Sequence, residues 1–397
     1  MIKPGKAKWL SAIVVVGMIA AAVVYRQLQL SETVDRFREI CRKAEKSGNW
    51  TKVVETASQW TNVDPGDPLP WFLLGEGRSH LNEHSEAASA YEKIPLDGPR
   101  GFDAAAALMK VNFQYLNKPL EAMSLADQLL EIDERFADAR RTRIFFYAMT
   151  FQRSRLLEDI SAAIELRSDQ PDHYVYLVSL EELSFSDGDQ ITARWLDSAE
   201  ENVDLQVAHA VHVARNTRAL FLTSPSESLK AKQASALIAA KQLHNELPQS
   251  SPLLDVLLQA AIEEGDMNSA EDLLASVNAE SIVDPVLWLW LGKYSRLAGD
   301  METAEQALRQ AIKLHPLGWQ SRNELALVCR ATDRLPEAAE LQKIAAVGVK
   351  LAEEIRRLPH VSEVSRGLLN QIAEYAIQCG DWEIANGIFR RYPPERK

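Results

Sequence analysis

Residues 284–316 read DPVLWLWLGKYSRLAGDMETAEQALRQAIKLHP, and their spacing predicts two antiparallel helices joined by a tight turn. On both sides of Gly299 and Asp300, apolar or small residues recur three and four positions apart, which places them on one face of each helix. Glycine suits the left-handed conformation that ends a helix, and Asp300 can cap the next one. Because Gly292 and Ala304 are small, the two helices can approach closely. The stretch therefore predicts a helical hairpin.

The same pattern recurs along the chain with a period of 34 residues. The copy upstream contains Leu254, Leu257, Leu258, Ala261, Gly265, Asp266, Ala270 and Leu274, and the copy downstream contains Arg322, Leu325, Ala326, Cys329, Asp333 and Ala338. Near the N-terminus, a further pair of copies begins at Phe37 and Trp71. Weaker copies follow between residues 109 and 193, and a last one covers 369–389. A fixed period of this length is typical of helical repeat proteins.

The repeat resembles the tetratricopeptide family, whose pattern places aromatic residues, Leu, Gly, Ala and Pro at fixed offsets. Trp288 to Pro316 matches most of that pattern, although Ser295 and Leu308 replace two of the usual aromatic residues. The resemblance implies an all-α fold, a right-handed α-solenoid of helical hairpins. No apolar alternation of the kind that indicates strands accompanies it.

The N-terminus predicts a membrane segment. Residues 9–25 (WLSAIVVVGMIAAAVVY) carry no charge and follow three lysines, which is typical of a transmembrane helix. The alternative is a cleaved signal peptide, because Ala20, Ala21 and Ala22 satisfy the small-x-small rule for processing. On the first interpretation, we expect a single-pass protein of a bacterial inner membrane whose C-terminal solenoid is extracytoplasmic.

The predicted organisation of the whole chain follows from these patterns. It consists of a basic tail (1–8), the transmembrane helix (9–25), N-terminal repeats (31–204), irregular longer helices (205–250), C-terminal repeats in strict register (251–347), and an inserted helix with a terminal repeat (348–397). We expect the charged residues at the C-terminus, from Arg390 and Arg391 onward, to solvate the open end of the array.

Few residues in the sequence suggest chemistry. The formal charge of −12 argues against nucleic acid as the main partner. His80 and His84 lie four apart, and His209 and His212 three apart, but neither pair comes with the further ligands that a zinc site needs. The three cysteines are far apart, and neither a nucleophile motif nor a phosphate-binding loop is present. We therefore expect no cofactor, no metal, no small-molecule substrate and no enzyme activity.

The family resemblance also implies which residues face a concave groove, because the first helix of each repeat lines it. In the C-terminal repeats these positions include Lys293, Arg296, Asn323 and Arg330, and in the N-terminal repeats they include Phe72 and Tyr115. The first set suits a peptide that carries a carboxylate, and the second suits an amphipathic helix.

The predicted function is a membrane-anchored scaffold or assembly factor that binds protein or peptide partners in this groove. One alternative is a soluble, secreted or periplasmic repeat protein released by signal-peptide cleavage. Another is an enzyme hidden in the irregular stretch from Leu205 to Leu247, with the array recruiting its substrate.

Overall fold

The structure, a computed structural model, describes residues 29–277 and 283–393, together with Met18, Tyr25 and Arg26. Throughout these residues the regular structure is helical, and no strand is formed. The chain divides into two compact units, residues 1–116 and residues 117–397. The all-helical fold class is thus confirmed, while the handedness of the array stays a prediction.

From residue 29 onward, unit 1 contains five helices packed in sequence order. They are α1 (29–46), α2 (Trp50–Val63), α3 (Pro68–His80), α4 (His84–Tyr91) and α5 (Gly101–Gln114). Its core forms between α1, α2 and α3, where Cys41, Val53, Ala57 and Trp60 are almost completely buried. Cys41 behaves here as a small hydrophobic residue.

Unit 2 continues with hairpins of the same kind. Its helices are α6 (Pro119–Ile132), α7 (Ala137–Met149), α8 (Arg153–Glu165), α9 (Pro171–Ser179), α10 (Gly188–Leu196), α11 (Val203–Thr223), α12 (Glu227–Glu246), α13 (Ser251–Glu264), α14 (Met267–Ala275), α15 (Pro285–Ala298), α16 (Met301–Leu314), α17 (Trp319–Ala331), α18 (Leu335–Arg356), α19 (Arg366–Gln378) and α20 (Trp382–Arg391). Because α13, α15 and α17 begin 34 residues apart, the helices follow the predicted repeat.

The hairpin of α15 and α16 shows why these residues fold as predicted. Gly299 ends α15 with φ +88°, and the Asp300 carboxylate accepts from the Thr303 backbone N–H at 3.0 Å to cap α16. A Cβ atom at Gly292 would lie 2.5 Å from Leu308 Cγ, so the two helices meet too closely for any larger residue. The turn and the close approach are both confirmed.

The last hairpin of unit 2 packs back onto an earlier one. Helix α20 contacts α8, and α19 contacts α9. At the centre of this contact, a Cβ atom at Gly387 would lie 2.7 Å from Ile164 Cγ2 and 2.9 Å from Tyr174 Oη. Arg391 adds an ion pair with Asp169 at 3.7 Å. The prediction that Arg391 solvates an open end is therefore wrong, since this end of the array is covered by α8 and α9.

Helix α9 is surrounded by other helices and does not line an open groove. All seven residues from Asp172 to Val178 are buried, and α9 contacts α7, α18 and α19. A short 3₁₀ turn, Leu180–Glu182, continues it. A helix that is buried on all sides belongs to a core. The interior of unit 2 is therefore occupied by α9 and is not an open groove.

The predicted single-pass membrane localisation is corrected by the structure. Across the described residues, no helix combines the length and the apolar character needed to cross a bilayer. The long helices α11, α12 and α18 all interleave charged side chains with apolar ones. The predicted span, 9–25, lies outside the described residues except for Met18 and Tyr25.

Candidate functional site

A small pocket opens between α15 and α17, the first helices of two consecutive repeats. Its volume is about 170 Å³, and it is lined by Leu289, Trp290, Lys293, Trp319, Gln320, Asn323 and Glu324. The 34-residue period places α15 and α17 side by side, because neighbouring repeats pack on one another. Two of the predicted groove residues, Lys293 and Asn323, are brought together here. We call this site the Lys293 pocket.

Two aromatic side chains line the Lys293 pocket, and a hydrogen bond to a buried carboxylate fixes one of them. The indole N–H of Trp290 donates to Asp255 Oδ1 at 2.8 Å, which holds the ring in place. Lys293 Nζ lies 5.0 Å from the centre of the same ring, within the range of a cation–π contact. Trp319, which is half-buried, also lines the pocket. The pocket therefore combines an ammonium group with two aromatic rings, of which Trp290 is fixed by its hydrogen bond.

The charged side chains around the Lys293 pocket differ in whether they form ion pairs and in whether they line the pocket. Arg296 donates to Glu324 at 2.8 Å, and both side chains are mostly buried, so this pair is neutral. Lys293 makes no ion pair within the described part of the chain. Arg330 is exposed on α17 and does not line the pocket. The basic patch expected from the sequence is thus reduced, at the pocket itself, to Lys293.

A distant carboxylate caps α17. Glu181 accepts from the backbone N–H groups of Gln320 (2.7 Å) and Ser321 (3.2 Å) and from the Ser321 hydroxyl (2.5 Å). Burial raises the pKa of Glu181, and these donors oppose that rise. Residue Gly318, at the N-cap position of α17, has no side chain of its own to do this. The first turn of α17, which carries Gln320 and is followed directly by Asn323, therefore depends on Glu181.

Behind Trp290 lies a buried network of charges. Arg153 on α8 binds both Asp255 on α13 and Asp284, the N-cap residue of α15. Arg215 on α11 donates to Asp255 at 2.5 Å. Burial disfavours a charge on Asp255, yet Arg215 and Arg153 together hold its pKa below the ordinary value. Helices α8, α11, α13 and α15 are thus fixed to one another beneath the pocket.

Unit 1 places its two predicted residues differently. Phe72 is only 8% exposed, and it is covered by Tyr91 and by the Arg100 guanidinium, 4.7 Å from its ring centre. Tyr115 is 48% exposed, and it stacks on His84 with ring centres 3.9 Å apart. Of the two, only Tyr115 offers surface to a partner, and its role stays a prediction.

The histidine pairs take structural positions. The His80 ring stacks on Trp50 at 3.8 Å, in unit 1. In unit 2, His212 is fully buried with Nε2 at 2.8 Å from the Met149 carbonyl oxygen, and His209 Nδ1 lies 3.1 Å from the Thr192 hydroxyl. Among the described residues, no group of three His, Cys, Asp or Glu side chains could hold a metal ion.

A larger cleft of about 590 Å³ lies at another edge of unit 2, where the starts of α8, α11, α13 and α15 converge. Its polar groups mostly bind one another. Ser154 Oγ donates to the Val283 carbonyl oxygen at 3.2 Å, and Gln152 reaches Asp204 at 3.4 Å. The cleft is therefore less suited than the Lys293 pocket to bind a charged ligand.

Sequence reasoning missed three contributors to the pocket. Trp319 and Gln320 are not among the predicted groove residues, although their place at the start of a first helix next to Asn323 could have indicated them. The contact of Glu181 could not be predicted in this way. Glu181 lies more than four repeats upstream of α17, and nothing in the sequence around it indicates that Ser321 is its partner.

No protein-family model matches the chain, and neither does any curated protein. Among solved structures, the chain is similar to a tetratricopeptide repeat protein from Parabacteroides merdae ATCC 43184 (15% identity, TM-score 0.29, covering 75% of this chain and 99% of that chain). It is also similar to the APC/C hetero-tetramer Cut9–Hcn1 (12%, 0.33, 90% and 86%) and to a monomeric IFIT1 mutant with Gppp-AAAA (12%, 0.32, 83% and 70%). TM-scores this low establish neither a shared fold nor a shared function.

Proposed function

We propose that this chain is a protein-binding scaffold that holds an acidic side chain of a partner peptide in the Lys293 pocket. The observation that carries the proposal is the meeting of Lys293, Asn323 and Gln320, from two consecutive repeats, in one concave site between Trp290 and Trp319. In this proposal the chain performs no covalent chemistry.

The chemistry of the pocket favours a carboxylate. The Lys293 ammonium supplies the charge, and the amide groups of Asn323 and Gln320 can donate hydrogen bonds beside it. Because Glu324 is neutralised by Arg296, it opposes a negative ligand only weakly. The aromatic walls suit the methylene groups of a glutamate and the aliphatic residues next to it.

The size of the pocket limits what it can hold. At about 170 Å³ it accommodates one side chain rather than a folded element. A single buried contact gives modest affinity, so a scaffold of this kind binds its partner through several such contacts spread over the array.

Fluorescence anisotropy with the full chain tests the proposal. The probes are two labelled pools of short peptides with blocked ends and no other charged residue. The central residue is glutamate in one pool and glutamine in the other. We expect the glutamate pool to bind at least about tenfold more tightly, because a charged hydrogen bond of roughly 1.5–3 kcal/mol corresponds to a factor of about 10 to 150.

Lys293→Glu should abolish this preference and favour a third pool with a central lysine. Lys241→Glu makes the same change of charge at an exposed position on α12 and is the matched control. If both variants lower the binding of the glutamate pool equally, the general charge of the protein explains the effect and the pocket does not.

A further inference from the structure

The Lys293 pocket depends on a helix that cannot cap itself. Trp319, Gln320 and Asn323 all lie in the first five residues of α17, and all three line the pocket. The N-cap residue, Gly318, has no side chain, and a Cβ atom there would lie 2.5 Å from Glu181 Oε1. The carboxylate of Glu181 therefore occupies the place that a capping side chain would otherwise take.

Glu181 is itself held firmly in place. On its N-terminal side, His315 Nε2 binds the Leu177 carbonyl oxygen at 2.8 Å, and Arg153 Nε binds the Leu180 carbonyl oxygen at 3.2 Å. On its other side, Arg215 binds the Leu183 carbonyl oxygen. Because the backbone is fixed on both sides, the carboxylate cannot follow α17 if that helix shifts. The Glu181 carboxylate thus holds the first turn of α17 in one position.

We propose that Glu181 is a positioning residue of the Lys293 pocket, which sets the affinity for a carboxylate ligand by fixing the first turn of α17. This inference rests on the proposed function. The Glu181 carboxylate already occupies the N-terminus of α17, so the backbone of that helix is not available to an anion. The charge that recognises the ligand then comes from Lys293, and the placement of Asn323 and Gln320 beside it comes from Glu181.

The test compares Glu181→Gln and Glu181→Ala with the wild type in the full chain. The glutamine variant keeps the shape of the side chain but removes its charge and one acceptor. We expect the dissociation constant for the glutamate pool to rise about threefold in Glu181→Gln and about tenfold or more in Glu181→Ala, following the loss of one or several hydrogen bonds. The preference over the glutamine pool should fall in the same order.

The control separates positioning from stability. Leu129 is fully buried on α6, away from the pocket, and Leu129→Ala lowers stability without touching α17. At a temperature where Leu129→Ala and Glu181→Ala are equally folded, the control should bind the glutamate pool like the wild type. Equal weakening in the two variants would overturn the proposal.

A second measurement needs no ligand. Amide hydrogen exchange at Gln320 and Ser321 should be faster in Glu181→Gln, because both N–H groups lose a charged acceptor. Unchanged exchange would overturn the positioning role even if no peptide bound to the wild type. Faster exchange with unchanged affinity would also overturn it, since the cap would then be structural only. Failure of the wild type to prefer glutamate would instead refute the proposed function.

Discussion

Arg153 donates from Nη1 to Asp284 Oδ2 at 3.0 Å, although 131 residues separate the two in sequence. Arg153 begins α8 and Asp284 caps α15, so the contact joins repeats that are not neighbours along the chain. In an open array each repeat contacts only the next one. Unit 2 therefore differs from that arrangement, because buried charges connect its middle to its C-terminal repeats.

Removing Arg153 should destabilise unit 2 strongly. Arg153→Ala leaves Asp255 and Asp284 buried with much of their charge uncompensated, which costs about 3–5 kcal/mol for a broken buried pair. Urea denaturation followed by circular dichroism measures this loss. Arg218→Ala is the control, since the Arg218–Glu263 pair is partly exposed and should contribute less than about 1 kcal/mol. Similar losses in both variants would contradict the importance of the buried network.

Acid should weaken the fold through its buried histidines. Burial lowers the pKa values of His173, His212 and His315 to about 4. The unfolded chain, with an ordinary pKa near 6.5, then binds protons first as the pH falls. The contribution to stability is complete above about pH 6.5 and is lost progressively toward pH 4.

The variant His315→Gln isolates one of these groups, which faces the Leu177 carbonyl oxygen and feels the charge of Arg322. The difference in unfolding free energy between wild type and variant should narrow by about 2 kcal/mol from pH 7 to pH 5, and it should stay constant from pH 7 to pH 8. Denaturation at these three pH values checks both statements. If the difference in unfolding free energy between wild type and variant instead increased on acidification, His315 would be charged in the folded state.

The glycine in α15 can be tested directly. In Gly292→Ala the new methyl group would lie 2.5 Å from Leu308 Cγ, so the helices must separate, at a cost of about 1–3 kcal/mol. Gly367→Ala on α19 is the control, because its nearest neighbour lies 3.7 Å away and alanine favours a helix by up to about 1 kcal/mol. Thermal unfolding should move in opposite directions in the two variants. A stabilised Gly292→Ala would refute the close approach.

Because the last hairpin packs on α8 and α9, we expect these two parts of unit 2 to open together. In Gly387→Val, the branched side chain would clash with Ile164 and Tyr174, both of which are almost fully buried. Hydrogen exchange should then increase together in residues 160–174 and 382–391. An increase confined to 382–391 would mean that α8 and α9 do not depend on this cover.

Local features of the fold could be predicted from the sequence because neighbouring residues determine them. The 34-residue period gave the starts of α13, α15 and α17, and glycine followed by aspartate gave the turns at Gly265, Gly299 and Gly380. The same period explains why α15 and α17 are neighbours, and Lys293 and Asn323 line one pocket between these two helices.

Contacts between distant repeats could not be predicted in this way. A period along the chain does not say that α20 returns to α8, or that Glu181 caps α17, because both depend on how the helices of unit 2 fold back on one another. The run YVYLVSL at 174–180 is apolar on every side, which indicates a buried helix rather than a groove-lining one.

The return of the last hairpin to α8 and α9 also affects how the chain is made. Arg391 binds the Arg167 carbonyl oxygen across 224 residues, and a ribosome adds roughly 5–20 residues per second. The face that contains Ile164 and Tyr174 is therefore uncovered for roughly 10 to 45 seconds during synthesis. During that interval no part of the nascent chain covers this apolar surface. Synthesis therefore succeeds only if aggregation is slower than completion of the chain, or if a chaperone binds the surface temporarily.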